Sequence, residues 1–205
     1  MAPPSPLDAD FEFTGSLLTL LNPFGLLGGV VTALLFLTHG AMFVALKTDG
    51  EIRHRARALA VRTGACAAVA SVVFLVWAQV ETGGPASAAL FAGAAVVLLL
   101  GIAAAARGRE GWAFTGTFVT IALAVTGLFV ALFPDVLPSS TDPAWSLTTT
   151  NAAATPYTLE IMTWVAASFT PIVIGYQAWS YWVFRKRISV DHIPAVPLVA
   201  VDGHA

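Results

Sequence analysis

The stretch FGLLGGVVTALLFLTHGAMFVAL, residues 24–46, decides the fold class of this chain. It contains no Asp, Glu, Lys or Arg, and a helix of about 20 mostly apolar residues is long enough to cross the hydrocarbon core of a bilayer. The stretch is too long for a β-strand and shows no alternation of apolar and polar residues. It therefore predicts a membrane-spanning α-helix.

Four further apolar runs of this kind follow, at residues 59–80, 86–106, 112–133 and 159–184. The composition agrees, because 57% of the residues are hydrophobic, only 11% are charged and the mean hydropathy is +0.79. A soluble domain needs a more highly charged surface than this. We predict an all-α polytopic transmembrane bundle of five spanning helices. It divides into a polar N-terminal tail at 1–20, a transmembrane domain at 21–187 and a cytoplasmic tail at 188–205.

The positive charges predict the orientation of the bundle, because Lys and Arg in short loops stay on the cytoplasmic side during insertion. All ten lie around the first and third connections or just after the last helix, at Lys47, Arg53, Arg55, Arg57, Arg62, Arg107, Arg109, Arg185, Lys186 and Arg187. The other connections and the N-terminal tail carry none. This places the N-terminus outside and the C-terminus in the cytoplasm. The basic run around Arg55 is interpreted as a solvated cytoplasmic loop that touches anionic headgroups of the membrane lipid, with a contact to a partner as the alternative.

Several functional classes are disfavoured by the sequence. A net charge of −2 without a basic stripe argues against nucleic acid as a partner. The single Cys66 cannot form an intrachain disulfide. Paired carboxylates, a Cys or His cluster at metal spacing, a phosphate-binding glycine loop and a nucleophile elbow are all missing from the sequence. We therefore predict no catalytic residue and no metal site.

His39 is the prominent polar residue within a predicted span and a weak candidate for a binding role. Three interpretations stay open: a haem ligand, a proton relay, or a structural residue that hydrogen-bonds a neighbouring helix. The structural interpretation is favoured, because polar residues inside membranes often pair helices.

Gln177 is the second weak candidate and lies in an aromatic-rich segment of the last span. Trp179 and Trp182 of this segment precede the basic string RKR, which is typical of an aromatic belt at the membrane interface. A quinone or haem edge packed against these rings is the alternative. In either case Gln177 can donate a hydrogen bond across helices.

Small residues four positions apart mark possible seams between helices, because close backbone approach drives helix association in lipid. The pairs are Gly25 with Gly29, Gly64 with Ala68, Ala89 with Gly93, and Gly116 with Thr120.

Three longer strings point to one family. The first is LLNPFGLLGGVVTALLFLTHGAMFVALKTDGE at 20–51, with RHRARALA at 53–60. The second is LFPDVLPSST at 132–141, followed by SLTTTNAAATPYTL at 146–159. The third is LEIMTWVAASFTPIVIGYQAWSYWVFRKRI at 159–188. All three resemble subunit II of the cytochrome bd-type quinol oxidases, whereas the second and third spans match only in position and character.

The resemblance implies a place in a bacterial plasma (inner) membrane complex that oxidises quinol and reduces dioxygen to water. It implies haem b and haem d in subunit I, the partner that this chain supports without binding a haem itself. The first span is similar to the fourth helix of the family. We therefore expect this chain to correspond to the C-terminal part of subunit II. A split gene, a truncated gene model and a fragment stay open as explanations, and in the first case a separate chain supplies the family's first three helices.

Two other functions stay open, a small membrane transporter and a truncated remnant without function. Transporters commonly combine broken helices with charged residues at the bilayer midplane. Here Pro171 is the one interruption, and no Asp, Lys or Arg lies in the middle of a predicted span. The oxidase subunit is therefore the leading hypothesis.

Overall fold

The computed structural model describes residues 5–188 and is dominated by helices. They are α1 (Leu17–Leu20), α2 (Pro23–Lys47), α3 (Gly50–Thr82), α4 (Pro85–Ala106), α5 (Glu110–Leu132) and α6 (Pro156–Val183). The last five are each long and apolar enough to cross a membrane. The all-α class with five spanning helices is therefore confirmed. Of the predicted tail at 188–205, only Ile188 lies within the described residues.

Helices α2 to α5 form an up-and-down four-helix bundle with short connections. Two connections turn at glycines with left-handed backbone, Gly50 (φ 65°) after α2 and Gly108 (φ 74°) after α4. A side chain at either position would strain the backbone, since L-residues with a Cβ rarely adopt this region. We call the end of the bundle that holds these two turns the basic end, and the opposite end the hairpin end.

The helices approach each other through small residues, as the membrane setting predicts. Gly101 of α4 and Gly116 of α5 face each other so closely that a Cβ on Gly116 would lie 3.1 Å from the Gly101 Cα. A Cβ on Gly64 of α3 would lie 3.0 Å from Ile102 and 3.3 Å from Thr38. The predicted seams at Gly64 and Gly116 are therefore real contacts between helices.

The other two predicted seams show no such close approach at both of their small residues within this chain. A Cβ on Gly29 would meet nothing within 4 Å, and Ala89 is exposed. A spacing of four places two small residues on one face of a helix but does not say which face meets a neighbour. In α4 the buried face carries Phe91, Ala94, Leu98, Gly101 and Ala105 instead.

The basic run around Arg55 is helical, which corrects the interpretation of this segment as a loop. Helix α3 begins at Gly50 and is 33 residues long. Glu51 pairs with Arg55 (2.6 Å), and Asp49 lies 3.7 Å from Arg53. Oppositely charged side chains four positions apart stabilise a helix, so the first turns of α3 form although they are polar.

The hairpin end is covered by the connection between α5 and α6 and by the N-terminal segment. The connection contains a short antiparallel pair, β1 (Asp135–Leu137) and β2 (Leu147–Thr148), and the 3₁₀ turn Pro143–Trp145. Leu7, only 2% exposed, pairs with Phe13 across a tight turn. The carbonyl of Ser5 accepts a hydrogen bond from the Ser140 N–H (3.1 Å). The predicted polar tail is thus partly folded against this connection.

Helix α6 contrasts with the other four spanning helices. None of its residues is buried, and all but Ser180 are exposed. The bundle of α2 to α5 holds the buried apolar clusters, such as Val31, Leu35, Ala67 and Leu98. In the described part of the chain, α6 therefore presents its full circumference to its surroundings.

Candidate functional site

His39 lies between α2 and α5. Its Nδ1 is 2.8 Å from the Thr117 hydroxyl oxygen, and its ring stacks on Phe114 with 4.4 Å between centroids. The Thr117 hydroxyl is also 2.9 Å from the Phe114 carbonyl oxygen, to which it can donate its single proton. Because the Thr117 proton is then already used, the bond to His39 forms when the histidine donates its Nδ1 proton to the Thr117 oxygen.

A second hydrogen bond links the same turn of α2 to α3. Thr38, which is 0% exposed, donates through its hydroxyl to the Thr63 hydroxyl (2.9 Å). Thr63 in turn donates to the Leu59 carbonyl (2.9 Å). The neighbours Thr38 and His39 therefore tie α2 to α3 and to α5, and the sequence had indicated only His39.

The basic end contains a buried carboxylate that the sequence analysis missed. Glu110, 4% exposed, accepts two hydrogen bonds from Arg53, at 2.9 Å from Nε and 3.1 Å from Nη2. Arg57 lies 3.8 Å and Arg187 lies 4.0 Å from the same carboxylate. Three guanidinium groups thus surround one acid. We call Arg53, Arg57, Glu110 and Arg187, together with Asp49, the basic-end cluster.

The segment after α6 is held by the turn between α2 and α3. The Lys47 ammonium donates to the Phe184 carbonyl (2.9 Å), and the Ile188 N–H donates to the Lys47 carbonyl (2.8 Å). Arg187 also lies 3.7 Å from Asp49. Helix α6 is therefore attached to the bundle at its basic end although its length is exposed.

Gln177 lies on this exposed helix, so the structure does not bring it together with His39. Tyr176 and Trp179 are neighbours with 6.3 Å between ring centroids, and the Arg185 guanidinium lies 4.5 Å from the Trp182 ring. This pattern is typical of an interfacial belt. The roles proposed for Gln177 and His39 stay predictions.

An apolar cavity of about 470 Å³ lies between the helices in the half nearer the hairpin end and is partly open at the bundle surface. Its walls come from α2, α3, α4 and α5, and include Leu35, Ser71, Phe91 and Thr120. His39 does not line it. Among residues 5–188, no three His, Cys, Asp or Glu side chains are grouped so that they could hold a metal ion.

The amino-acid sequence that forms this bundle and its exposed last helix matches a known protein family. Residues 4–184 match the family model described as cytochrome bd terminal oxidase subunit II. The chain belongs to this family. The match includes the segments of α2 and α6 that carry the resemblance in the sequence, and both His39 and Gln177 fall within it.

Individual members of the subunit II family support this family membership. The chain is 35% identical over 189 residues to cytochrome bd ubiquinol oxidase subunit 2 of Bacillus subtilis (strain 168), covering 90% of this chain and 56% of that protein. It is 33% identical over 215 residues to cytochrome bd-I ubiquinol oxidase subunit 2 of Escherichia coli (strain K12). That match covers 88% of this chain and 57% of the Escherichia coli protein. The chain thus spans little more than half the length of these relatives.

His39 joins α2 to α5 through two contacts. Its Nδ1 is engaged by Thr117, and Phe114 covers one face of the ring. The cavity of the bundle is lined by other residues. The helix-pairing interpretation of His39, which the sequence favours, stays a prediction.

Proposed function

We propose that this chain is part of the membrane subunit II of a cytochrome bd-type quinol:oxygen oxidoreductase. In this proposal it supports the haem-bearing subunit I, which carries haem b and haem d, and holds no haem itself. The observation that carries the proposal is the family match over residues 4–184. Quinol is the substrate of the complex and dioxygen its electron acceptor.

The proposed location is the bacterial plasma membrane, with the N-terminus outside and the C-terminus in the cytoplasm. The basic end supports this orientation, because all ten Lys and Arg residues of the chain lie toward that end of their helices. Retention of short basic loops in the cytoplasm then places the hairpin end outside.

Helix α6 is the proposed docking surface for subunit I. Large apolar side chains cover it, and Trp164, Phe169 and Ile172 are 61–69% exposed. Its basic end is fixed to the bundle through Lys47 and Arg187. A helix held at one end and free along its length can pack against helices of a partner. A separate chain that supplies the remaining length of the relatives is a further proposed partner.

The test is affinity purification of this chain from its native membrane under mild detergent, followed by identification of the accompanying chains and a quinol oxidase assay. We expect a larger haem-bearing subunit and oxygen consumption driven by quinol. A chain that purifies alone, without activity, would contradict the proposal and favour a transporter or a remnant without function.

Deletion of α6 and the segment after it provides the matched comparison. Removal of residues 156–188 is expected to abolish co-purification of subunit I while the α2 to α5 bundle stays in the membrane. Retention of subunit I by the shortened chain would show that α6 is not the docking surface.

A further inference from the structure

The turn between α4 and α5 carries two positive charges that no carboxylate in the described part of the chain balances. All ten Lys and Arg residues lie toward the basic end, whereas the carboxylates found there among residues 5–188 are those of Asp49, Glu51 and Glu110. Each of these acids already lies within 4.0 Å of an arginine on α3. Arg107 and Arg109 of the turn are exposed, and no ion pair of either is found within the same residues. The turn therefore offers positive charge to a ligand.

Arg57 of α3 brings a third guanidinium group to this turn. Its Nη1 lies 2.8 Å from the position that a Cβ on Gly108 would occupy, and Gly108 is the residue between Arg107 and Arg109. The contact of Arg57 with Glu110 is long, at 3.8 Å, and its side chain stays 30% exposed. Because the other two arginines flank the same glycine, all three guanidinium groups can reach one anion. We call Arg57, Arg107 and Arg109 the turn triad.

The backbone of the turn is already ordered. The Gly108 N–H donates to the Ala105 carbonyl (3.0 Å), and the Arg109 N–H donates to the Ala104 carbonyl (2.9 Å). The left-handed backbone of Gly108 allows this tight turn between two long helices. A bound anion therefore does not have to order the backbone, which lowers the cost of binding.

The turn lies at the level where a bilayer carries its headgroups. Helix α4 has 22 residues and is therefore about 33 Å long, slightly more than a hydrocarbon core of about 30 Å. Trp112, in the first turn of α5, is 67% exposed. Trp side chains concentrate at the interface between membrane and water. Lipid phosphates of the adjacent leaflet therefore lie beside the turn triad.

An apolar surface runs from the turn toward the middle of the bilayer. Leu100 and Val96 lie seven and eleven positions before Arg107, on the same face of α4. They are 64% and 56% exposed. A ligand that is held at the turn by a phosphate can lay a hydrocarbon chain along this face. Free phosphate would use only the cations and would leave the apolar surface uncovered.

We propose that the turn triad binds one anionic phospholipid, whose phosphate accepts hydrogen bonds from the three arginines and whose acyl chains lie along α4. A guanidinium group matches a phosphate through two parallel N–H donors. Basic pockets between membrane helices on the cytoplasmic side bind anionic headgroups in this way. A zwitterionic lipid fits less well, because its own ammonium offsets the phosphate. This site goes beyond the proposed oxidase function and does not require the haem-bearing subunit.

The test counts lipids bound to the purified protein by native mass spectrometry. The full chain, with the subunits that accompany it, is prepared from its native membrane in mild detergent and depleted of lipid. It is then titrated with dioleoylphosphatidylglycerol and, separately, with dioleoylphosphatidylcholine. A third series adds inorganic phosphate to the phosphatidylglycerol complex and measures whether free phosphate displaces the lipid.

Three double variants accompany the wild type. Arg107→Gln with Arg109→Gln removes two charges of the turn triad, and Arg107→Lys with Arg109→Lys keeps the charge without the guanidinium fork. The control is Arg185→Gln with Lys186→Gln, which removes two charges from the same end of the bundle. None of these four residues belongs to an ion pair found within residues 5–188. The midpoint of thermal unfolding without added lipid should therefore match the wild type and checks that each variant is folded.

We expect the wild type to bind one phosphatidylglycerol about tenfold more tightly than phosphatidylcholine. Arg107→Gln with Arg109→Gln should weaken this binding roughly tenfold to thirtyfold, as expected for the loss of two cations beside an anionic headgroup. The lysine pair should retain most of the binding, and the control should stay close to the wild type.

Four results would overturn the proposal. They are equal affinity for the two lipids, an equal loss of binding in the Arg107/Arg109 and Arg185/Lys186 glutamine variants, displacement of the lipid by inorganic phosphate, and a wild type that takes up no phosphatidylglycerol. In the last case, loss of an accompanying chain from the Arg107/Arg109 glutamine variant would identify an acidic protein surface as the occupant. Because lipid is counted per chain, the result is independent of whether subunit I co-purifies.

Discussion

Arg53 and Glu110 are 57 residues apart in the sequence and form a two-point ion pair at 2.9 and 3.1 Å. Arg53 lies in the first turn of α3 and Glu110 begins α5, so the pair joins two helices at the basic end. The pair is also the centre of the cluster that receives Arg187 from the segment after α6. The bundle and the exposed helix are thus joined through one buried carboxylate.

Replacement of that carboxylate should destabilise the chain. Glu110→Gln removes the two-point partner of Arg53, which then keeps only the longer contact with Asp49 (3.7 Å), so the variant should lose stability. Thermal unfolding in detergent measures the loss.

Glu51→Gln is the matched control, because Glu51 pairs with Arg55 on the surface, where both side chains are more than 75% exposed. Such a pair contributes less than about 1 kcal/mol. Equal effects of the two substitutions would show that the basic-end cluster is not a stabilising unit.

Arg187→Ala should loosen the attachment of α6. Arg187 lies within 4.0 Å of both Asp49 and Glu110, so its removal breaks two contacts between the segment after α6 and the bundle. We expect spin labels placed at the basic ends of α2 and α6 to show a broader distance distribution. Lys186→Ala should leave the distribution unchanged, because no ion pair of Lys186 is found in the described part of the chain. Identical distributions for the two variants would contradict this role.

His39→Leu should reduce assembly more than haem content per assembled complex. The substitution removes the bond to Thr117 and thus one polar link between α2 and α5. Thr117→Val removes the same link from the other side and should have the same effect. The amount of purified complex and its haem spectrum are measured together. Normal assembly with a missing haem band in His39→Leu alone would make His39 a ligand.

Gly116→Val should separate α4 from α5. The added Cβ would lie 3.1 Å from the Gly101 Cα, and backbone atoms cannot move away as a side chain can. Overpacking of this kind costs about 1–3 kcal/mol. The midpoint of thermal unfolding measures it. Gly40→Val is the control, since an added Cβ there meets nothing within 4 Å. If both variants unfold at the wild-type temperature, close approach at Gly116 is not required.

The spanning helices could be predicted from the sequence, because hydropathy and length are properties of single segments. The run at 24–46 became α2 (Pro23–Lys47) with one residue added at each end. Helix α3 is the exception: it extends to Gly50, since charged residues at 49–57 pair with each other along the helix. Hydropathy identifies the part of a helix inside lipid and misses polar turns beyond it.

The contacts between segments could not be predicted in the same way. Glu110 lies outside the predicted spans, and its burial depends on Arg53 reaching it from another helix. The short connections could have indicated that the two residues lie near each other. They imply an up-and-down bundle, in which α3 and α5 begin at the same end, and both residues lie in the first turns of these helices. The partner of His39 depends on how α2 is rotated against α5, and no periodicity within one segment reveals that rotation.

The most direct test of the account is the location of haem after the purified complex is separated into its chains under conditions that keep haem bound. The account predicts that haem b and haem d stay with subunit I and that this chain is colourless, with an intact α2 to α5 bundle. Haem that stays with this chain in stoichiometric amount would contradict a supporting role and would make it a haem-binding subunit.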